Sequence, residues 1–172
     1  MLKKIFLSII FCFITFKVNA EQSFAIVDMD FLVNNSKAGK YIQSNIKTHN
    51  DKIKAQFIKK EKKIKEEEKK LISQKNVLTE EDYKKKVQEL NKQIISYTEE
   101  RKKEISKSNK KKNEAVVELI SNINSILVDY ASKNKIALVL DKKNIIIAEN
   151  NNDITIKIFE ILDNKITKIK IK

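Results

Sequence analysis

From Tyr41 to Asn134 the apolar and amphipathic residues recur in steps that reduce to threes and fours. The first run is Ile42, Ile46, His49, Ile53, Phe57, Ile64 and Leu71. The second is Tyr83, Val87, Leu90, Ile94, Tyr97, Ile105, Ala115, Leu119, Ile123, Ile126 and Tyr130. Such steps keep to one face of a helix, so the pattern predicts two long helices folded against each other at Asn76-Val77-Leu78-Thr79. Thr79 is placed as an N-cap, with Glu80, Glu81 and Asp82 in the first turn, where the helix dipole favours carboxylates. At 1.5 Å per residue, a first arm of roughly 35 residues reaches about 50 Å, longer than a compact domain of this size is wide. The hairpin therefore projects.

Its stripe is thin. Between Lys59 and Lys70 the only apolar side chain is Ile64, and between Thr98 and Glu114 it is Ile105. A helix packed into a globular core has a broader face than this. The shaft must rely on a narrow coiled-coil seam and on charge pairs three and four apart, each worth only about 0.2 to 0.5 kcal/mol. It is expected to bend and breathe.

The segments on either side form a small base split by that insertion. Ser23 to Asp28 reads as a strand, and Asp28 and Asp30 can start a helical turn through Phe31-Leu32-Val33. Asn34-Asn35-Ser36 breaks that turn, and the first arm begins near Ser36 to Lys40. The chain returns through residues 114–131, where Ala115, Val116, Leu119, Ile120, Ile123, Ile126, Leu127, Tyr130 and Ala131 crowd into a wide apolar face. Ile136 to Leu140 is a continuous apolar run that fits a strand buried on both faces, and Asn144 to Ala148 reads as the next strand of a hairpin. Asp153 is placed to cap a final helix marked by Ile154, Ile158, Ile161 and Leu162, and the tail 166–172 reads as a frayed end or an edge strand. The fold class is thus mostly α with a small β-rich base: residues 21–40 and 115–172 form the base, and 41–114 the inserted hairpin. A base this small, with open strand edges, seldom stands alone. Phe24, Ile26, Leu138, Leu140, Ile145 and Ile147 are the residues expected to pair it with sister chains.

Residues 1–20 stand apart from the fold. Lys3 and Lys4 precede an apolar run from Ile5 to Phe16, and Val18-Asn19-Ala20 precedes an expected cut after Ala20, the layout of a secretory signal. The run is shorter than the ~20 residues of a membrane span. Cys12 lies inside it after bulky Phe11, which argues against lipidation, and no cysteine follows, so the exported chain has neither disulfides nor thiolate metal sites.

Charge separates hairpin from base. Residues 44–114 hold 22 Lys or Arg against 13 Asp or Glu, most of the chain's net +13. Every basic residue except Arg101 is lysine. A general compositional bias would load both parts alike. One glycine, Gly39, excludes phosphate-cradling loops and dinucleotide fingerprints. The single histidine, His49, lies on the helical seam, which excludes a zinc site of the usual kind. Glu66, Glu67 and Glu68 sit among lysines with no cleft to perturb them, so no catalytic constellation or cofactor site is expected.

Ala25-Ile26-Val27-Asp28-Met29-Asp30 followed by Asn35-Ser36-Lys37-Ala38-Gly39-Lys40 resembles the opening strand and helix entry of the Skp/OmpH periplasmic chaperones. Leu78-Thr79-Glu80-Glu81 resembles that family's tentacle tip. Leu138-Val139-Leu140-Asp141-Lys142 and Asn152-Asp153-Ile154-Thr155 resemble its closing strand and helix start. The resemblance implies a homotrimer whose tentacles surround a cavity, holding unfolded outer-membrane β-barrel proteins in the periplasm without ATP until they insert. Two features depart from the family pattern: Arg101 is the hairpin's only arginine, so no lipopolysaccharide site is carried over, and residues 166–172 run past the family's usual end. Client contacts would come from Ile53, Phe57, Ile64, Leu71, Val87, Leu90, Ile94 and Tyr97 when the hairpin flexes, although each of these also serves to hold the arms together. Lys59, Lys60, Lys62, Lys63, Lys102, Lys103, Lys110, Lys111 and Lys112 would attract acidic clients or anionic membrane surfaces. Two other readings compete: a structural envelope spacer, and a nucleic-acid binder, which the signal and the lack of aromatic interleaving oppose.

Overall fold

The computed structural model describes residues 23–147 and 149–171; the signal expected at 1–20 lies outside the described residues. Strand β1 (Ser23–Val27) leads into helix α1 (Met29–Asn35), and the long arms follow as α2 (Lys37–Ser73) and α3 (Glu80–Lys133). Strand β2 (Ile136–Asp141) and helix α4 (Thr155–Lys165) complete the order, separated by 3-10 turns at Lys142–Asn144 and Asn150–Asn152.

Caps set the helix boundaries. Asp28 accepts the Phe31 amide to start α1, Ser36 accepts the Gly39 amide to start α2, and Thr79 accepts the Asp82 amide to start α3. The Ser36 amide also closes α1 on the Leu32 carbonyl, so one residue ends a helix and begins the next. With 37 residues α2 is about 55 Å long. His49 is half-buried on the seam as expected. At the base end of α3, Asn134 caps the helix and Lys135 turns into the left-handed region at φ 55°, which redirects the chain into β2.

The base core unites both pieces of the sequence. Leu32, Ala38, Ile42 and Ile46 meet Ala115, Leu119, Ile123, Ile126 and Leu127 of α3, and Ile154, Ile158 and Leu162 close them from the C-terminal side. Every residue of the wide face read along 115–131 is buried or half-buried. Polar bonds fasten the junction: the Asp28 amide donates to Thr155 Oγ1 at 2.9 Å, and the Ile154 amide to the Ile26 carbonyl at 2.9 Å. Asp163 Oδ1 accepts the Lys37 amide at 2.7 Å, so a side chain from α4 caps α2 across 126 residues.

The sheet departs from expectation. It has two strands, β1 and β2, paired in parallel with Phe24 opposite Leu138 and Ile26 opposite Leu140. Residues 144–147 are not a strand. Instead Asp141 accepts the Lys143 amide and pairs with its ammonium, while Lys142 pairs with Asp153, and these local bonds wind the chain into a 3-10 turn that leads away from β2. Nor is β2 buried on both faces. Val139 packs on the core, but Leu138 is 53% exposed and Leu140 37%, because nothing in a single chain covers their side. Of the other residues assigned to self-association, Phe24 shares this open face, Ile145 is half-buried, Ile147 is exposed, and Ile26 is buried within its own chain, its backbone bridged to residues 153–154.

The tail is neither frayed nor a strand across its described residues. Ile169 is buried, Ile166 and Ile171 pack beside it, and the Lys168 ammonium lies 5.7 Å from the Tyr41 ring centroid. Its irregular backbone hid this from a reading by period, since docking needs only three isoleucines at the right places. Ile169→Ala is expected to cost about 2 to 4 kcal/mol in a urea titration. An unchanged midpoint would show that the tail does not dock.

Candidate functional site

The projecting shaft carries polar as well as apolar contacts between its arms. Phe57 of α2 and Tyr97 of α3 meet edge to face with centroids 5.6 Å apart. Lys60 stands 5.6 Å from the Phe57 centroid and pairs with Glu100 across the hairpin. The Tyr97 hydroxyl donates to Glu61 Oε2 at 3.4 Å, and Lys65, one turn along, pairs with Glu61 at 2.7 Å. Nearer the base, Ser108 is buried and donates to Asn50 Oδ1 at 2.6 Å, a polar pair where an apolar knob would otherwise sit. Such a pair fixes the register of two helices while contributing little apolar burial.

The ion pairs bias the shaft carboxylates. A hydrogen bond from Lys65 holds the Glu61 carboxyl below its ordinary value of 4.5, and Lys60 and Lys107 do the same for Glu100 and Glu104. A carboxyl with a lowered folded pKa contributes stability above the unfolded pKa and loses it as pH falls through the folded one. The shaft is therefore expected to loosen as pH drops below about 4.5, where protonation also leaves the lysines less compensated. Hydrogen exchange at pH 6 and pH 3, corrected for intrinsic rates, should show protection lost around residues 57–65 and 97–107 before the base. Equal protection at both values would remove these pairs from the account.

Most of the apolar candidates are occupied by the seam. Phe57 and Leu71 are buried, Ile53, Ile64, Val87, Leu90 and Tyr97 are half-buried, and Ile94 is exposed. The basic candidates are exposed except for half-buried Lys111. Lys60 pairs with Glu100, Lys62 lies 4.0 Å from Glu66, and Lys110 lies 3.9 Å from Glu114. The other six, Lys59, Lys63, Lys102, Lys103, Lys111 and Lys112, have no carboxylate within 4.0 Å among the described residues.

A second apolar set escaped the periodic reading. Ile58, Ile72 and Ile95 are 55%, 63% and 57% exposed. Each is the second member of a doublet, after Phe57, Leu71 and Ile94. Successive helix residues are rotated by about 100°, so when the first turns toward the seam the second cannot follow. The doublets themselves were the available signal. Val77 at the tip and Ile105 on α3 add two more exposed apolar points among the lysines.

The family model described as outer membrane protein (OmpH-like) matches residues 23–162, from β1 into α4. The chain belongs to the OmpH-like family. This OmpH-like chain also superposes on a crystal structure from Caulobacter crescentus, described there as a candidate outer membrane chaperone (OmpH-like). The TM-score is 0.80 at 17% identity, covering 88% of this chain and 89% of that one, a likeness of fold. No curated protein matches the sequence. The docked tail beyond residue 162 lies outside the family match, yet Ile169 belongs to the core of this OmpH-like chain.

Proposed function

We propose that this OmpH-like chain is an exported, ATP-independent periplasmic holdase. It acts as a homotrimer, with the bases joined through the open face of the sheet and the hairpins enclosing a cavity for unfolded outer-membrane β-barrel proteins. The observation that carries the reading is a lysine-rich hairpin with apolar side chains stranded outside its own seam, on a base whose sheet leaves Phe24, Leu138 and Leu140 open to solvent.

A client that must remain competent to insert is better held by many weak contacts than by one strong site, because preferential binding of the unfolded state withholds it from aggregation and still allows release. Ile58, Ile72, Ile95 and Ile105 offer such contacts without opening the hairpin, whereas Phe57 and Leu71 offer them only when the arms part. The lysines supply attraction to acidic clients, or to anionic membrane surfaces, that fades over a Debye length of about 8 Å at physiological ionic strength.

Sedimentation equilibrium of the protein, alone and with a urea-diluted barrel protein, tests this directly. The expected result is a trimer that takes up one client and keeps it soluble, with uptake weakening as salt is raised. A monomer or dimer that leaves the client to aggregate at low salt would favour a structural spacer of the envelope.

A further inference from the structure

Beside the Phe57–Tyr97 contact the two arms leave a groove of about 370 Å³, within the range of small ligand clefts. Ile53, Phe57, Ile58, Tyr97 and Ile105 line it together with Lys54 and Arg101. It exists because α3 brings only Ile105 as an apolar side chain between Thr98 and Glu114, too little to fill the seam. Ile58 and Ile105 consequently remain 55% and 48% exposed.

The charge around the groove is net positive, Lys54 and Arg101 against Glu61, whose carboxyl is held below its ordinary value chiefly by Lys65 and also by Arg101. Glu61 also lines it, but Lys65 and Tyr97 already occupy its carboxylate oxygens. Neither Lys54 nor Arg101 has a carboxylate within 4.0 Å among the described residues. In a chain that otherwise uses lysine at every basic position, the one guanidinium stands beside these apolar walls. A guanidinium is more weakly hydrated than an ammonium and presents a planar fork that matches a carboxylate through two parallel N–H bonds. The groove thus pairs an apolar recess with a receptor for one carboxylate.

We propose that this groove is a peptide subsite that takes an aliphatic or aromatic side chain of an unfolded polypeptide, with a nearby aspartate or glutamate carboxylate bound by Arg101. The assignment rests on the holdase reading and gives it a chemical preference. In an extended chain, residues two apart point the same way, so the best segment carries the apolar and acidic residues at that spacing. General attraction to the lysines would favour any acidic segment, whereas this groove favours one with the apolar neighbour.

The test is NMR of the purified protein, with Arg101 Nε–H and the Ile58 and Ile105 methyls as reporters; a single arginine makes the first signal unambiguous. The probes are the capped peptide Gly-Ser-Phe-Ser-Asp-Ser-Gly and the same peptide with the aspartate replaced by asparagine. The acidic peptide should move all three signals and bind about threefold to tenfold more tightly than its amide counterpart. Arg101→Lys should remove most of that preference, and Ile58→Ser, at an exposed position, should weaken both peptides. Equal binding of the two peptides, or shifts spread along the lysines with Arg101 Nε–H unmoved, would overturn the subsite. Phosphatidylglycerol vesicles that displace the peptide and move the same signals would overturn it in favour of a lipid phosphate. Aggregation of a urea-diluted barrel protein, followed in parallel, separates the two claims. If the protein keeps it soluble while the peptides ignore the groove, the subsite fails and the holdase reading stands. If the peptide preference holds but the client aggregates, the holdase reading fails and the groove remains a peptide site.

Discussion

Replacing Gly39 by alanine is expected to destabilise the base by about 3 kcal/mol, near the upper end of what a forced methyl costs in a packed interior. A Cβ at that position would lie 1.8 Å from the Val33 carbonyl oxygen and 2.9 Å from its carbon, so backbone rather than a flexible side chain would have to yield. It would also come within 3.2 Å of Ser36 Oγ, the atom that caps α2 by accepting the Gly39 amide. Relief by moving α1 would disturb Leu32, which is fully buried, and the turn through which α2 leaves the base. The requirement is close approach, since Gly39 has no positive φ. A urea titration followed by circular dichroism, with exposed Lys40→Ala as the neighbouring control, should show a clearly lower midpoint for Gly39→Ala alone. A shift no larger than the control's would mean that the α1–α2 junction adjusts freely.

That glycine illustrates how much of the fold was legible. Its solitude in the sequence was plain, but the reason for it, a carbonyl from the preceding helix, is a tertiary fact. The arms, the tip, the caps at Asp28 and Thr79 and the start of the first arm near Ser36 were readable because helix periodicity and capping are local. The wide face at 115–131 was readable because core packing demands it. Strand reading failed at 144–147: three consecutive isoleucines have strong β propensity, but propensity does not supply a partner, and the bonds of Asp141 and Lys142 settled the backbone instead. The cap of α2 by Asp163, the docked tail and the Ser108–Asn50 pair depend on residues far apart in sequence or lacking a period. On the shaft, periodicity found most of the seam residues, although Ile94 and Ile105, which it also placed there, are exposed, and it passed over Ile58, Ile72 and Ile95.

The second large effect is expected at the open face of the sheet. Leu138→Glu should abolish the proposed self-association while leaving the single chain folded. Leu138 is 53% exposed and lies opposite Phe24, itself 43% exposed, so in an isolated chain the new carboxylate stays in water and the core beneath, formed by Ala25, Val27 and Val139, is untouched. Between subunits the same carboxylate would be desolvated without a partner, at an effective cost of several kcal/mol. Several kcal/mol at each subunit contact lowers the association constant by more than about a hundredfold per contact. Sedimentation equilibrium should then find a monomer with the helical circular dichroism of the parent. Val77→Glu, at the 83% exposed tip of the hairpin, should leave association unchanged. If Leu138→Glu still assembles like the parent, the subunits meet elsewhere. The consequence for function is direct: with single hairpins no cavity is enclosed, so the monomeric variant should fail to keep a diluted barrel protein soluble even though every lysine and every stranded isoleucine is still present.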